Sequence, residues 1–225
     1  MIIDVVLKFL RGDLLPDFHD YPWLYMYLSA AANLARFAAG WVTGAFQDLA
    51  GYAASWPLRW EPFFLIDRGI SAALGTLTIW TVFSVGRRLA DETVGAASAF
   101  LMAVCFLHVR DSHYGTTDAT MVFLTVLAVA LLLRAYDEDS ARWFTYAGVA
   151  AGLAAGTKYN GLGLLLPIAC AQMLAWLPDA RRRAAKWPLV SAGLPFALLF
   201  LVCVPFVYLD WARFRAAMDL LLRSM

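Results

Sequence analysis

The chain has 225 residues, of which 62% are hydrophobic and 16% are charged, and its formal net charge is +1. A soluble domain of this length usually carries about 25% charged residues, and a net charge so close to zero argues against a nucleic-acid partner. The composition therefore predicts an integral membrane protein, multi-pass and surrounded by membrane lipids.

The first 62 residues are aromatic-rich and predict a loop with interfacial helices on one face of the membrane. Segment 22–40 is long enough to span the bilayer, but its aromatic start and Arg36 fit equally well with a helix lying along the surface. Residues 41–62 contain several Trp and Pro residues, which suit a loop at headgroup level. Residues 1–62 are therefore taken as a first domain.

Apolar stretches after residue 62 predict about six transmembrane helices, since one span needs roughly 20 apolar residues. They are 64–86, 93–109, 118–136, 143–177 (two helices broken near Gly156 to Gly161) and 187–209. The predicted fold class is all-α, a polytopic transmembrane helix bundle over 63–209. Residues 210–225 form a third, amphipathic segment at the membrane surface.

Glycine recurs every fourth residue in AGVAAGLAAG, at Gly148, Gly152 and Gly156. Such a stripe makes one helix face flat and lets a neighbouring backbone approach closely. We expect this face to pack against another helix.

Basic residues are distributed unevenly between the two sets of alternating connections. One set contains eight basic residues: Arg87, Arg88, Arg134, Arg142, Arg181, Arg182, Arg183 and Lys186. The other contains Arg110 and Lys158. Cytoplasmic loops carry the excess of Lys and Arg, so the second set is predicted to face outward, together with both terminal domains. We expect a bacterial or archaeal plasma membrane.

The stretch HVRDSHYGTTD, residues 108–118, contains five His, Arg and Asp side chains between apolar segments. We expect it to be a non-helical outer loop. Asp118 begins an apolar helix, whose dipole favours the ionised carboxylate, and helix capping is the alternative role. Asp118 and His113 are the candidate acid–base residues.

Other kinds of site are poorly matched by these residues. His108 and His113 lie five apart with no Cys nearby, a weak ligand pattern, so neither a metal nor another cofactor is expected. Ser112 has no nucleophile-elbow context. No strand precedes a Gly-rich loop, which excludes a nucleotide-binding α/β domain.

A lipid-linked substrate fits the remaining features, because its phosphate lies at the headgroup plane. Arg110 and Lys158 are predicted at that depth. Cations in a partly dry cleft stabilise the charge that builds on a departing phosphate.

Four stretches resemble, in the same order, the polytopic membrane glycosyltransferases of the GT-C fold. They are GDLLPDFHDYPWLYMYL, DRGISAALGTLTIWTVFSVGRRL, HVRDSHYGTTDATMVFLTVLAVALLL and GLAAGTKYNGLGLLLPIA. Within that fold they are similar to the dolichyl-phosphate-mannose protein mannosyltransferases and the bacterial aminoarabinose transferases. The resemblance implies transfer of a sugar from a polyprenyl-phosphate donor to a lipid, glycan or protein acceptor outside the cytoplasm, usually with inversion.

The resemblance also implies roles for residues of the second and third outer connections. Asp118 matches the acidic residue that ends the second outer loop, and Arg110 matches the basic residue before it. Lys158 matches the lysine of a TK motif and is expected to bind the donor phosphate, with Tyr159 beside it.

In the first outer loop, the resemblance implies substrate contacts. Arg68 matches the arginine that opens the helix after this loop, and His19 and Tyr21 lie in its Pro-aromatic part. The family's usual catalytic base, the Asp of an Asp-Glu pair, would stand on a helix before Met1. We therefore expect the chain by itself to transfer sugar poorly.

Two other functions stay open at this point: a transporter or permease, and a non-catalytic membrane subunit or fragment. Transporters tend to place ionisable residues near the bilayer midplane. Segments 119–133 and 187–209 contain no charged residue, which favours the transferase.

Overall fold

The computed structural model describes residues 2–175 and 188–223, and over these ranges the chain is helical with no β-strand. The helices are α1 Ile2–Leu10, α2 Leu24–Val42, α3 Leu49–Ala54, α4 Glu61–Leu89, α5 Glu92–Val104, α6 Phe106–His113, α7 Thr117–Asp137, α8 Ala141–Thr157, a 3₁₀ helix Tyr159–Leu164, α9 Leu165–Ala175, α10 Pro188–Cys203, α11 Phe206–Leu209 and α12 Trp211–Arg223. The prediction of an all-α helix bundle is confirmed.

Only some of the described helices are long enough to span a membrane. Among the described residues, α4 and α7 are long and apolar enough to cross a bilayer, and the bent pair α5 and α6 adds a third crossing if it is one broken span. Tyr159–Leu174 and Pro188–Cys203 are shorter apolar helices. Together these helices identify the chain as an integral membrane protein.

The single helix predicted over 93–109 is wrong. The helix is interrupted at Cys105, whose backbone is extended, and the axes of α5 and α6 differ by 59°. Neither Pro nor Gly marks the break in the sequence. It turns α6 onto α4, where His108 Nε2 donates to the backbone oxygen of Gly75 at 3.1 Å.

The prediction of a non-helical loop over HVRDSHYGTTD is also wrong for most of its length. Residues up to His113 form α6, and only 114–116 make the turn before α7. Local hydrogen bonds stabilise this short helix: the Ser112 hydroxyl donates to the His108 oxygen at 2.7 Å, and His113 Nδ1 donates to the Val109 oxygen at 2.7 Å. Most of the closely spaced charged side chains in this stretch therefore belong to a polar helix, α6.

The helix predicted over 187–209 is interrupted as well, because α10 ends at Cys203 and α11 begins at Phe206. Pro205 lacks an N–H and disfavours helical geometry in the residue before it. Residue 187 lies outside the described residues.

The break predicted near Gly156 to Gly161 is confirmed, since α8 ends at Thr157 and a 3₁₀ helix precedes α9. Residues 176 and 177 of the same predicted segment lie outside the described ranges.

Two apolar cores hold the bundle together. The first joins α1, α2, α3 and the start of α4 to Val204 and Phe206, with Trp23 and Tyr25 fully buried. The second lies between α7, α8, α9 and α10. The first core anchors residues 1–62 against the bundle. It thereby places the connection between α1 and α2, residues 11–23, over one end of the bundle; this connection is called the first loop below.

The glycine stripe of α8 packs against α10, as predicted. A Cβ on Gly152 would lie 2.6 Å from the Phe196 oxygen, and a Cβ on Gly156 would lie 2.6 Å from Cys203 Sγ. Only glycine permits this approach without a shift of one helix. The stripe thus fixes the end of α8, where Lys158 follows.

Candidate functional site

Polar connections from three parts of the chain meet at one end of the bundle, which we call the site end. Lys158 follows α8 and its Nζ donates to Asp118 Oδ1 in the first turn of α7 at 2.8 Å. The Tyr159 hydroxyl donates to the backbone oxygen of His19 in the first loop at 3.2 Å. The opposite end carries a different ion pair, between Arg88 Nε and Asp137 Oδ2 at 2.7 Å.

The Lys158–Asp118 pair is partly open to solvent, with side chains 25% and 40% exposed. The hydrogen bond with the Asp118 carboxylate raises the pKa of Lys158 above its ordinary value. The α7 N-cap is Thr116, so Asp118 does not cap the helix. Its carboxylate instead holds a lysine that stays charged at neutral pH.

The first loop brings Tyr21 next to this pair, with Lys158 Nζ 5.7 Å from the centre of its ring. An ammonium group at this distance from an aromatic face is attracted to it. His19 is placed differently: its ring is 5% exposed and packs edge-on against Phe206, 5.1 Å between ring centres. From this loop, the backbone of His19 and the ring of Tyr21 contact the site residues.

A second group of the predicted residues lies between α4 and α6. Arg68 Nε donates to the backbone oxygen of His113 at 2.8 Å. A carbonyl can only accept, so His113 Nδ1 carries the proton in its bond to Val109 and Nε2 of the neutral ring holds the free lone pair. His113 is exposed and can accept a proton at Nε2.

Arg110 links these two groups of residues. Its guanidinium donates to Asp111 Oδ1 at 2.8 Å and lies within electrostatic reach of Asp118. Because the side chain is 47% exposed, its remaining N–H donors are accessible to a ligand.

A groove runs between α4 and the bent pair α5 and α6. It contains two cavities of about 970 and 500 Å³, and both are lined by Arg68, Val109 and His113. The larger one also reaches Arg110 and aromatic residues at the start of α4, and the smaller one continues to Ile79. The distance from Trp60 to Ile79 along α4 is roughly 28 Å. The groove is therefore cationic at the site end and apolar beyond it.

The two histidines of α6 are not arranged as metal ligands. His108 is buried and its Nε2 donates to the Gly75 oxygen, and His113 Nδ1 donates to the Val109 oxygen, so one nitrogen of each ring is already bonded to the backbone. In the ranges that the structure describes, no three His, Cys, Asp or Glu side chains lie together in a way that could hold a metal ion.

One buried acidic residue next to the site was missed in the sequence. Asp67 is 1% exposed and adjoins Arg68. The available signal was an Asp inside the first turns of an otherwise apolar helix.

The fold and the site describe an integral membrane protein with a charged, concave site at one end of its helix bundle. The family model described as dolichyl-phosphate-mannose-protein mannosyltransferase matches residues 37–209. The chain belongs to this family and is a membrane glycosyltransferase of the GT-C type, which confirms the resemblance. The match includes every proposed site residue except His19 and Tyr21. No curated protein and no solved structure matches the chain.

Proposed function

We propose that the chain transfers a sugar from a polyprenyl-phosphate donor to an acceptor at the site end, on the membrane face away from the cytoplasm. The observation that carries this proposal is the groove between α4 and α6, which joins the cations Arg68 and Arg110 to an apolar wall. A polyprenyl phosphate has the same two parts, a charged head and a long apolar tail. The eight-to-two bias of basic residues supports the outward orientation.

In the proposed complex, the donor phosphate lies between Arg68 and Arg110, and Lys158 contacts it from the end of α8. Guanidinium groups bind phosphate oxygens through paired N–H donors, whereas lysine acts as a point charge. The isoprenoid tail lies along Leu65, Ala72 and Ile79. This position leaves the sugar at the site end, beside Tyr21 and Tyr159.

In the transfer step, the acceptor oxygen attacks the anomeric carbon and forms the new glycosidic bond. The bond between the anomeric carbon and the phosphate oxygen breaks, and its electron pair leaves with the polyprenyl phosphate. This phosphate gains one negative charge, which the three cations stabilise. The acceptor loses a proton, which a base within hydrogen-bond reach must take.

Within the site, Asp118 and His113 are the proposed proton acceptors. His113 lines the groove and holds a free lone pair at Nε2 in its neutral form, whereas Asp118 is bound by Lys158. The proposal therefore gives Asp118 a second task, to hold Lys158 toward the phosphate. His19, Tyr21 and Tyr159 belong to the part of the site that receives the sugar or the acceptor. No metal or other cofactor enters this scheme.

The test combines donor binding with transfer in membranes containing the chain. Polyprenyl phosphates carrying hexoses or pentoses are supplied with lipid, glycan and protein acceptors. Arg68→Ala should lower turnover about 10²–10³-fold, the usual loss when one stabilising donor is removed. Arg87→Ala is the matched control, because Arg87 is an exposed cation at the other end of the same helix. Absence of both polyprenyl-phosphate binding and transfer, or equal losses in the two variants, would contradict the proposal.

The two candidate bases are separated in the same assay. His113→Ala removes a proton acceptor but leaves the Lys158–Asp118 pair intact, so it should lower turnover with little change in donor binding. Asp118→Asn releases Lys158 and should weaken donor binding as well. Unchanged turnover in His113→Ala would exclude His113 as the base.

A further inference from the structure

Asp67 is a buried carboxyl group in the first turns of α4, and no role in the transfer scheme uses it. Its side chain is 1% exposed, and its Oδ1 accepts a hydrogen bond from the Ser29 hydroxyl of α2. Among the described residues, no Lys, Arg or His forms an ion pair with it. Burying a carboxyl group in a membrane bundle is costly, and such residues usually have a function.

On one side, Asp67 belongs to a polar junction between α2 and α4. The Tyr25 hydroxyl donates to the Asp67 backbone oxygen at 3.1 Å and lies 3.4 Å from Ser71 Oγ. Tyr25 and Ser71 are fully buried. The junction therefore fixes the position of α2 against the residues that flank Arg68.

On the other side, the turn between α6 and α7 rests on the same residues. A Cβ on Gly115 would lie 2.5 Å from the Asp67 Cβ, so the turn backbone contacts this side chain directly. Arg68 Nε bonds the His113 oxygen at 2.8 Å, and Ser71 Oγ lies 3.5 Å from the Thr116 oxygen. The turn leads into α7, whose second residue is Asp118.

We infer that Asp67 is a positioning residue of the donor site: joined to Ser29 on α2 and packed against Gly115, it holds Arg68 and the His113–Thr116 turn in place. The inference rests on the proposed function, because it acts through the proposed phosphate contact of Arg68. Loss of the carboxyl group removes the bond to Ser29 and so loosens α2 against the part of α4 on which the turn rests. Arg68 then keeps its charge but loses its defined place in the groove.

The experiment is a double-mutant cycle on binding of a short-chain polyprenyl phosphate, without a sugar, to the purified chain in lipid nanodiscs. The proteins are the wild type, Arg68→Ala, Asp67→Ala and the double variant. We expect Arg68→Ala to raise the Kd at least tenfold and Asp67→Ala at least fivefold. The double variant should bind no more weakly than Arg68→Ala, because both changes remove the same contact.

Two further variants keep the test valid if Asp67→Ala does not fold. Asp67→Asn retains an oxygen that accepts from Ser29 and should restore most of the affinity. Ser29→Ala removes the donor and should weaken binding, whereas the matched control Ser84→Ala, whose hydroxyl bonds its own helix, should not. Tryptophan fluorescence during heating checks that each variant is folded.

Different outcomes separate the two proposals. Wild-type affinity in folded Asp67→Ala and Ser29→Ala, with weak binding by Arg68→Ala, would overturn the role of Asp67 alone. The same holds if the losses multiply in the double variant, because Asp67 would then not act through Arg68. Wild-type affinity in Arg68→Ala would overturn the proposed donor site and this inference with it.

Discussion

At the scale of single residues, the Lys158–Asp118 ion pair joins the end of α8 to the first turn of α7. The pair is partly exposed, so we expect it to contribute little to stability, and its proposed role is in donor binding. The lysine reaches this place because α8 ends at Thr157 and Lys158 adopts an extended backbone. Its charge is thus delivered to a defined point of the site end.

Replacing Lys158 with Ala should lower turnover about 10²–10³-fold, as expected for loss of one cation that stabilises the leaving phosphate. Lys158→Arg should be partly tolerated, because a phosphate contact depends mainly on charge. Transfer assays on both variants measure this, with Lys8→Ala, an exposed lysine of α1, as the control. Full activity in Lys158→Ala would remove this residue from the site.

The pH dependence of the pair follows from the raised pKa of Lys158. A raised folded-state pKa means that its contribution to stability is fully present below about pH 10 and is lost as pH rises through that raised value. Turnover should therefore show no alkaline decline from Lys158 between pH 7 and 9. Such a decline in the wild type that is absent in Lys158→Arg would contradict this assignment.

The sequence predicted which residues carry charge at the site end better than it predicted the buried polar ones. Arg110, Asp118 and Lys158 stood out because charges are rare beside apolar segments, and Arg68 was indicated by the family resemblance. Asp67 did not, because its partner Ser29 lies 38 residues away and only tertiary packing brings them together.

At the scale of helices, close packing of α8 on α10 depends on the glycine stripe. Gly152→Ala places a methyl group 2.6 Å from the Phe196 oxygen, which α10 can relieve only by shifting. Overpacking of this kind costs about 1–3 kcal/mol. The variant should unfold at a lower temperature in detergent.

The matched control for this change is Gly193→Ala in α10. A Cβ there meets only Leu189 Cδ1, at 4.0 Å, so the change should be neutral or stabilise the helix by up to about 1 kcal/mol. Equal unfolding temperatures for Gly152→Ala and the wild type would show that the two helices are not in close contact.

Helix positions were predictable where apolar length was the signal, as for α4 and α7. Helix breaks were predictable only where a residue type marks them. The glycines between Gly156 and Gly161 indicated one break. The residues around Cys105 did not indicate the 59° bend. That bend depends on tertiary contacts of α6 with α4, such as His108 with Gly75, which no local pattern reports.

At the scale of the whole molecule, the proposed orientation places the site end outside the cytoplasm. Single cysteines at Asp17 and Glu92, both exposed and near opposite ends of the bundle, test it in a chain without its three native cysteines. A membrane-impermeant maleimide added to intact cells should label the cysteine at position 17. Position 92 should react only after permeabilisation, and the reverse pattern would place the site in the cytoplasm.

Photo-crosslinking tests whether the groove between α4 and α6 binds the isoprenoid tail of the donor. A polyprenyl phosphate with a diazirine in its isoprenoid chain is irradiated with the folded protein, and the crosslinked peptides are mapped by mass spectrometry. We expect adducts on the groove residues Phe64, Ala72, Ile79 and Val109, and unlabelled polyprenyl phosphate should compete with their formation. Adducts confined to the apolar surface between α7 and α9, around Leu166 and Cys170, would contradict this expectation.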